Sequence, residues 1–281
     1  MKTAQLLALL ALTAACAASN GRSGTPAALE APAAADSGPI TVSFSPATVT
    51  YLSTTHRVND SEVQGGSSRT ETLLRYRVSV DIAEQNDTLL VAFLVDSVLH
   101  AEAPGISPRD LAEPVGEQFT ASLRNTGLLD DFAPTPTQPP LLSQIANDLR
   151  NFFPVLPATG VASGDSWTDT TETSQTSGGA DIVTSGVSEY SAGEWGQYQD
   201  TTALPITWVM TYTLKGTGQQ LGQPFTISGT GRRTGQHFVS ESGEYLGTVS
   251  ADSASTEVLL TDIGMTVPIR ISGADTVTVV R

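Results

Sequence analysis

The sequence contains few of the residues that most often carry chemistry or covalent cross-links. Among its 281 residues are one cysteine and three histidines. The single cysteine, Cys16, excludes an intrachain disulfide bond. His56, His100 and His237 have no second histidine, cysteine or acidic residue at metal-ligand spacing, and the H-E-x-x-H and C-x-x-C motifs are absent. We therefore predict no metal site and no cofactor.

Motifs for covalent catalysis and phosphate binding are also missing. Residues 160–164 read G-V-A-S-G, which places the serine one position away from its place in G-x-S-x-G. Lys215 is the only lysine after position 2, and no serine stands three residues before it. Glu241 and Glu244 fall in a turn pattern, where acidic residues are common for backbone reasons. The sequence therefore favours a protein that is not an enzyme.

Positive charge is scarce. The chain has 14 Lys and Arg residues against 29 Asp and Glu residues, giving a formal net charge of −15. Such a surface repels the phosphates of nucleic acids and the head groups of anionic lipids. Nucleic acid is therefore excluded as an expected partner.

The first residues form an export signal. Lys2 supplies a positive charge, residues 6–12 are apolar, and small residues precede Cys16. The apolar run is too short to remain as a membrane-spanning helix. This order resembles the lipobox signal of bacterial lipoproteins, which implies cleavage after residue 15 and lipidation of Cys16. The alternative is an ordinary signal peptide with an incidental cysteine near its cleavage site. Ala17 in place of aspartate implies sorting to the outer membrane, facing the periplasm.

The organisation after the signal is simple. Residues 17–39 are mostly Ala, Ser, Gly and Pro, which cannot bury a core. A flexible chain of this length has a root-mean-square span of roughly 25–30 Å. We therefore expect a signal peptide over 1–15, a lipidated cysteine with a disordered tether over 16–39, and a single β-rich domain over 40–281.

Alternation of apolar and polar residues dominates the domain. Residues 74–82 alternate with a period of two, as expected for a half-buried strand. Residues 87–100 have apolar side chains at both odd and even positions, which predicts a strand that is covered on both faces. Residues 141–153 instead follow a helical period between proline-rich flanks, so one amphipathic helix is expected to cover that strand.

These elements predict a groove between helix and sheet. Trp208, Met210 and Tyr212 lie on one face of another strand, where they fit either a groove lining or an ordinary core. The candidate groove residues are Leu90, Leu94, Leu142, Ile145, Leu149, Phe152, Phe153, Trp208, Met210 and Tyr212. We expect a mainly β (α+β) fold, a long curved antiparallel sheet or half-open barrel with one amphipathic helix packed on it.

Two resemblances bear on function. The segments F-P-V-L-P at 153–157, G-D-S-W at 164–167 and F-V-S-E-S-G-E-Y-L at 238–246 resemble an uncharacterised family of exported bacterial lipoproteins. The layout is also similar to the LolA-like lipid-carrier lipoproteins, half-open barrels whose helices plug a hydrophobic groove. This resemblance implies a membrane-anchored protein that binds a lipid or another hydrophobic ligand. The alternative is an assembly lipoprotein that presents its sheet to an envelope protein.

Overall fold

The computed structural model describes residues 41–281 apart from 64–65, 87, 104–105, 108, 133–138, 178–179 and 221. In this part of the chain the protein is mainly β, with twelve strands and one α-helix, which confirms the predicted fold class. The expected signal peptide, Cys16 and the tether lie outside the described residues. None of the helical segments in the described ranges is long and apolar enough to cross a membrane.

Most of the strands are long, with 12 to 20 residues. Their bounds are β1 (Ala47–Val63), β2 (Gly66–Gln85), β3 (Thr88–Glu102), β4 (Gln118–Leu123), β5 (Leu129–Asp130), β6 (Ser166–Ser177), β7 (Ala180–Ala192), β8 (Gly196–Tyr198), β9 (Thr201–Gln220), β10 (Gln223–Ser240), β11 (Tyr245–Leu260) and β12 (Met265–Val279), and the helix is α1 (Pro140–Arg150). Strands β2 and β9 have 20 residues each, which corresponds to ~65 Å. Helix α1 has 11 residues and is only ~16 Å long.

All the strands belong to one antiparallel sheet, so the two strand regions of the sequence do not form separate sheets. The sheet order is β5-β4-β3-β2-β1-β12-β11-β10-β9-β7-β6, with β8 paired to β9 off this path. The first and last long strands join the two halves, with Tyr51 opposite Val279 and Ser61 opposite Ile269. The sheet is not closed into a barrel. Since α1 lies between β5 and β6 in the chain, it connects the two edges of the sheet.

The buried side chains form two large clusters along the strands. The helix-covered cluster includes Tyr51, Tyr76, Phe93, Leu149, Phe152 and Phe153. The far cluster includes Ile182, Leu214, Phe225, Ile227, Val258 and Ile269, all on strands. A helix of ~16 Å cannot extend over both clusters. The side chains of the far cluster are therefore buried by curvature of the sheet around them.

The helix ends earlier than the sequence pattern predicts. It runs from Pro140 to Arg150, with Asn151 as its C-cap, and Phe152 and Phe153 follow it in irregular backbone. Pro140 occupies the first turn, where the missing N–H costs nothing. Phe153 precedes Pro154, and a residue before proline is disfavoured in the helical region. The two phenylalanines nevertheless remain in the helix-covered cluster.

Two strand predictions need correction. β3 is covered on one face only, because Leu90 and Leu94 are 38% and 41% exposed. Helix α1 packs over the opposite face, where Val91, Phe93 and Val95 are buried. In addition, the sequence patterns of residues 245–251 and 257–265 each predict a strand, and in the structure they belong to one strand, β11, which ends at Leu260. The polar residues between them continue its alternation, with Ala254 and Thr256 buried.

Candidate functional site

A belt of ionisable side chains crosses the concave face between the two apolar clusters. We define the charged belt as Arg57 on β1, Asp148 on α1, Arg233 on β10, Asp252 on β11 and Asp275 on β12. Strand register places the sheet residues together. Thr55 lies opposite Asp275, Asp275 lies opposite Ser250, and Asp252 lies opposite Arg233. The belt is therefore a consequence of pairing among strands that are distant in sequence.

Asp275 is the centre of the charged belt. Its Oδ1 lies 2.7 Å from Nη2 of Arg57, and its Oδ2 accepts a hydrogen bond from Arg233. Ser250 Oγ donates a third hydrogen bond to Oδ2 at 3.3 Å. Burial alone would raise the pKa of Asp275, but Arg233 and Arg57 outweigh burial and hold that pKa below its usual range. Asp275 is therefore an ionised carboxylate shared by two guanidinium groups.

Two glycines make room for the large side chains of the belt. A Cβ atom on Gly273 would lie 2.5 Å from Cδ of Arg57, so the Arg57 side chain crosses β12 directly above the glycine backbone. A Cβ atom on Gly231 would lie 2.2 Å from Cζ of Tyr212 in the same way. The Tyr212 hydroxyl reaches across β10 and donates to Oδ1 of Asp252 at 2.9 Å. Glycine lets a neighbouring side chain lie flat on the sheet at both positions.

Asp252 is held in a partly desolvated position. Burial raises the pKa of Asp252 to about 6, and the positive charge of Arg233 and the Tyr212 hydrogen bond oppose that rise. This carboxyl group therefore titrates nearer to neutral pH than an exposed aspartate.

Helix α1 contributes the last member of the belt. The Oδ2 atom of Asp148 is buried and has no hydrogen-bond partner among the described residues. Burial raises the pKa of Asp148 to about 7, and the charge of Asp275 adds to the rise. Arg57, Arg233 and a hydrogen bond from Thr55 act in the opposite direction. The helix thus places a carboxyl group that titrates near neutral pH against the charged sheet residues.

The charge on Asp148 should make stability depend on pH. Its pKa is raised on folding, so its protonated form stabilises the fold at low pH, and that stabilisation is lost as pH rises through about 7. We predict that Asp148→Asn gains stability relative to the wild type between pH 5 and pH 8. Urea unfolding at both pH values measures this, with the exposed Asp262→Asn as the matched control. A constant difference between Asp148→Asn and the wild type would contradict the prediction.

Aromatic side chains border the belt on the helix side. The Cζ atom of Arg233 lies 5.6 Å from the ring centroid of Trp208, and the ring of His237 stacks on Trp208 at 5.6 Å. Burial, with Arg233 as the second cause, lowers the pKa of His237 to about 3. His237 is thus a neutral packing residue. In the described part of the chain, no group of three or more His, Cys, Asp or Glu residues could hold a metal ion.

The predicted groove residues do not lie together in one groove. Leu142, Ile145, Leu149, Phe152, Phe153 and Trp208 join the helix-covered cluster, Tyr212 joins the far cluster, and Leu90 and Leu94 lie on the outer face of the sheet. Met210 is half-buried and packs against both clusters, next to the belt. The interface of helix and sheet is filled by aromatic rings, with Phe152 5.0 Å from Tyr51 and 5.6 Å from Phe93. The expected groove between helix and sheet is therefore occupied by the protein's own rings.

None of the five belt residues is among the residues predicted for the site, although the sequence contains a signal for two of them. Asp275 has the same parity as the buried Val267, Ile269, Ile271 and Val277 of β12. Asp148 likewise follows Ile145 by three residues and Leu141 by seven, which places it on the buried stripe of α1. A charged residue at a position whose neighbours of the same parity are apolar indicates a buried ionic group.

Comparison with known proteins leaves the function to be argued from these residues. No family model matches the chain, and no curated protein matches it. Among solved structures, Neisserial surface protein A aligns with 83% of this chain and 98% of its own at 10% sequence identity. The TM-score of that alignment is 0.22, which is too low to indicate a shared fold.

Proposed function

We propose that the protein is an exported, membrane-anchored lipoprotein that binds an amphipathic, lipid-like ligand on the concave face of its sheet and catalyses no reaction. The observation that carries this proposal is the charged belt between two apolar clusters. The Arg233 side chain is 33% exposed there, and Met210 beside it is half-buried. A ligand with a polar head and an apolar body matches a surface of this kind.

The energetic cost of the belt supports a role in recognition. Ionisable groups that leave water lose hydration, and apolar residues of similar volume often stabilise a fold equally well or better. Arg57 and Asp275 are only 11% and 13% exposed, so both have lost most of their contact with water. Polar groups placed within an apolar pocket orient a ligand and select among ligands. Recognition is thus a reason for retaining these charges.

The membrane anchor is part of the same proposal. Cys16 follows the signal, and residues 17–39 would let the domain reach roughly 25–30 Å from the anchored cysteine. A protein in that position meets lipid-like molecules close to a membrane, with the outer membrane as the proposed location. Metabolic labelling with a radioactive fatty acid tests the anchor, since Cys16→Ala should abolish the label. Label retained by that variant would contradict lipidation at Cys16.

Native mass spectrometry tests ligand binding. The mature chain, residues 16–281, is produced without its signal and mixed with vesicles of bacterial lipids. We expect one bound lipid per chain. We expect Arg233→Gln to lower the bound fraction by about tenfold, because Arg233 holds Asp275 and lies over the ring of Trp208 in the proposed site. Arg270→Gln is the matched control, because Arg270 is exposed on the outer face of β12.

The absence of any lipid adduct on the wild-type chain would contradict the binding proposal. An equal loss of adducts in Arg233→Gln and Arg270→Gln would contradict the assignment to the concave face, because both variants remove the same charge. Circular dichroism of each variant shows whether the fold is retained.

A second candidate function is supported by the outer face of the sheet. Leu90 and Leu94 on β3 are 38% and 41% exposed. Exposed apolar side chains on one strand suit contact with another protein. A wild-type chain without lipid adducts would favour this role, in which the protein presents its outer face to an envelope partner.

A further inference from the structure

Several buried polar side-chain atoms in and around the belt have no hydrogen-bond partner among the described residues, and one of them, Oδ1 of Asp275, is already held by the charge of Arg57. Two others belong to no ion pair among the described residues. They are Oδ2 of Asp148 and Nε1 of Trp208. Trp208 as a whole is only 7% exposed. A buried polar atom without a partner is unfavourable, and native proteins contain few of them. The pair therefore indicates where a ligand would supply the missing hydrogen bonds.

The position of Trp208 directs its N–H towards the belt. A Cβ atom on Gly235 would lie 2.8 Å from Nε1 of Trp208 and 2.8 Å from Cβ of Ser250. The indole nitrogen therefore lies above the Gly235 backbone, beside the serine that bonds Asp275. Trp208 offers a donor at this position, and Asp148 offers an acceptor from the helix above the sheet.

The charges already present exclude a strongly ionic head group. Arg57 and Arg233 share Asp275, and Tyr212 bonds Asp252. An added anion would meet the carboxyl groups of Asp148, Asp252 and Asp275, and an added cation would meet the two guanidinium groups. An anion would have to displace Asp275 from the two guanidinium groups to gain a partner. A cation beside Asp148 would be repelled by Arg57 and Arg233, whose charges already act on that carboxyl group. Both are costly where groups are buried.

We infer that the ligand carries a neutral, hydroxyl-bearing head group, such as the glycerol or sugar of an uncharged lipid. A hydroxyl group donates one hydrogen bond and accepts others, so it can donate to Oδ2 of Asp148 and accept from Nε1 of Trp208. Neighbouring hydroxyl groups on one head group allow the two contacts to be made together. This inference rests on the proposed function, and it names the ligand class for the same site.

Isothermal titration calorimetry on the mature chain, residues 16–281, tests the inference with three probes that share one alkyl chain. They are monododecanoylglycerol, dodecanoate and dodecylammonium, each kept below its micelle concentration. We expect monododecanoylglycerol to bind at least about tenfold more tightly than either charged probe, which corresponds to about 1.4 kcal/mol.

Two variants locate the contact. Trp208→Phe removes the N–H and keeps an aromatic ring, so it should weaken monododecanoylglycerol binding by about three- to tenfold. Trp167→Phe is the matched control, because Nε1 of Trp167 already donates to the carbonyl oxygen of Val155 at 3.1 Å. An equal effect of the two substitutions would overturn the assignment of Trp208.

The outcomes of the probe series separate the inference from the proposed function. Equal or tighter binding of dodecanoate or dodecylammonium would overturn the neutral head group and leave lipid binding in place. Failure of all three probes to bind, together with the absence of lipid adducts in mass spectrometry, would overturn both.

Discussion

Replacement of Asp275 by alanine is expected to lower the free energy of unfolding by about 3–5 kcal/mol, the cost typical of removing one partner of a buried ion pair. The carboxylate of Asp275 lies between Arg57 and Arg233 and is itself only 13% exposed. Its loss leaves two guanidinium groups close together with reduced access to water. Because Arg233 is 33% exposed and can recover some hydration, we expect the lower end of this range.

Equilibrium unfolding in urea at pH 7 measures this loss. Asp60→Ala is the matched control, because Asp60 pairs with Arg69 at 3.4 Å on the adjoining β1–β2 hairpin, and both side chains are about half exposed. Exposed pairs of this kind contribute about 0–1 kcal/mol. Asp275→Asn, which keeps the shape of the side chain, serves if the alanine variant does not fold. Similar losses of unfolding free energy for Asp275→Ala and Asp60→Ala would contradict the prediction. They would mean that Asp275 contributes no more than a partner in a solvent-exposed ion pair.

The same belt shows where sequence patterns predict structure well and where they do not. Strict alternation in residues 74–82 correctly predicted part of β2, because one face of that strand is buried and the other is wet. The doubly apolar pattern of β3 predicted cover on both faces, yet Leu90 and Leu94 are exposed. Apolar residues at alternate positions of a strand can form a buried face, but they need not. Folded proteins also expose some apolar side chains to water.

The contacts of the site depend on pairing that local patterns do not contain. Arg57 and Asp275 are 218 positions apart, and they meet only because β1 pairs with β12 in one particular register. A shift of one residue in that register would turn every side chain of a strand to the other face. Sequence periodicity could therefore have marked Asp275 as a charge at a buried position, but it could not have named Arg57 as its partner.

The helix also shows what sequence patterns can and cannot predict. Its apolar stripe and flanking prolines were sufficient to predict that it exists and which residues it buries, including Ile145 and Leu149. They were not sufficient to show that the space beneath it is filled. That depends on rings contributed by Tyr51, Phe93 and Tyr245, which lie on three different strands. Sequence patterns therefore predict a groove under the helix, whereas the candidate site is the charged belt between the two apolar clusters.

The second large effect is expected from Phe152→Ala, which should lower the free energy of unfolding by about 3–5 kcal/mol through lost burial and the cavity left behind. Phe152 is only 5% exposed. Its ring makes edge contacts with Tyr51, Phe93, Phe153 and Tyr245, with centroids 5.0–5.6 Å apart. Contacts of this geometry add to the free energy gained from burial alone.

The matched control is Phe132→Ala, since Phe132 is a half-buried ring that stacks on Phe119 at 5.7 Å at the edge of the same cluster. Phe132→Ala should lower the free energy of unfolding by about 1–2 kcal/mol. The loss is smaller than for Phe152→Ala because the half-buried ring of Phe132 removes less apolar area from water. Urea unfolding of both variants gives the comparison, and near-ultraviolet circular dichroism reports the packing of the remaining rings. An effect of Phe152→Ala no larger than that of Phe132→Ala would mean that the helix lies over a loosely filled groove. The lipid site would then extend beneath α1, because a ring whose removal costs so little could be displaced by an alkyl chain.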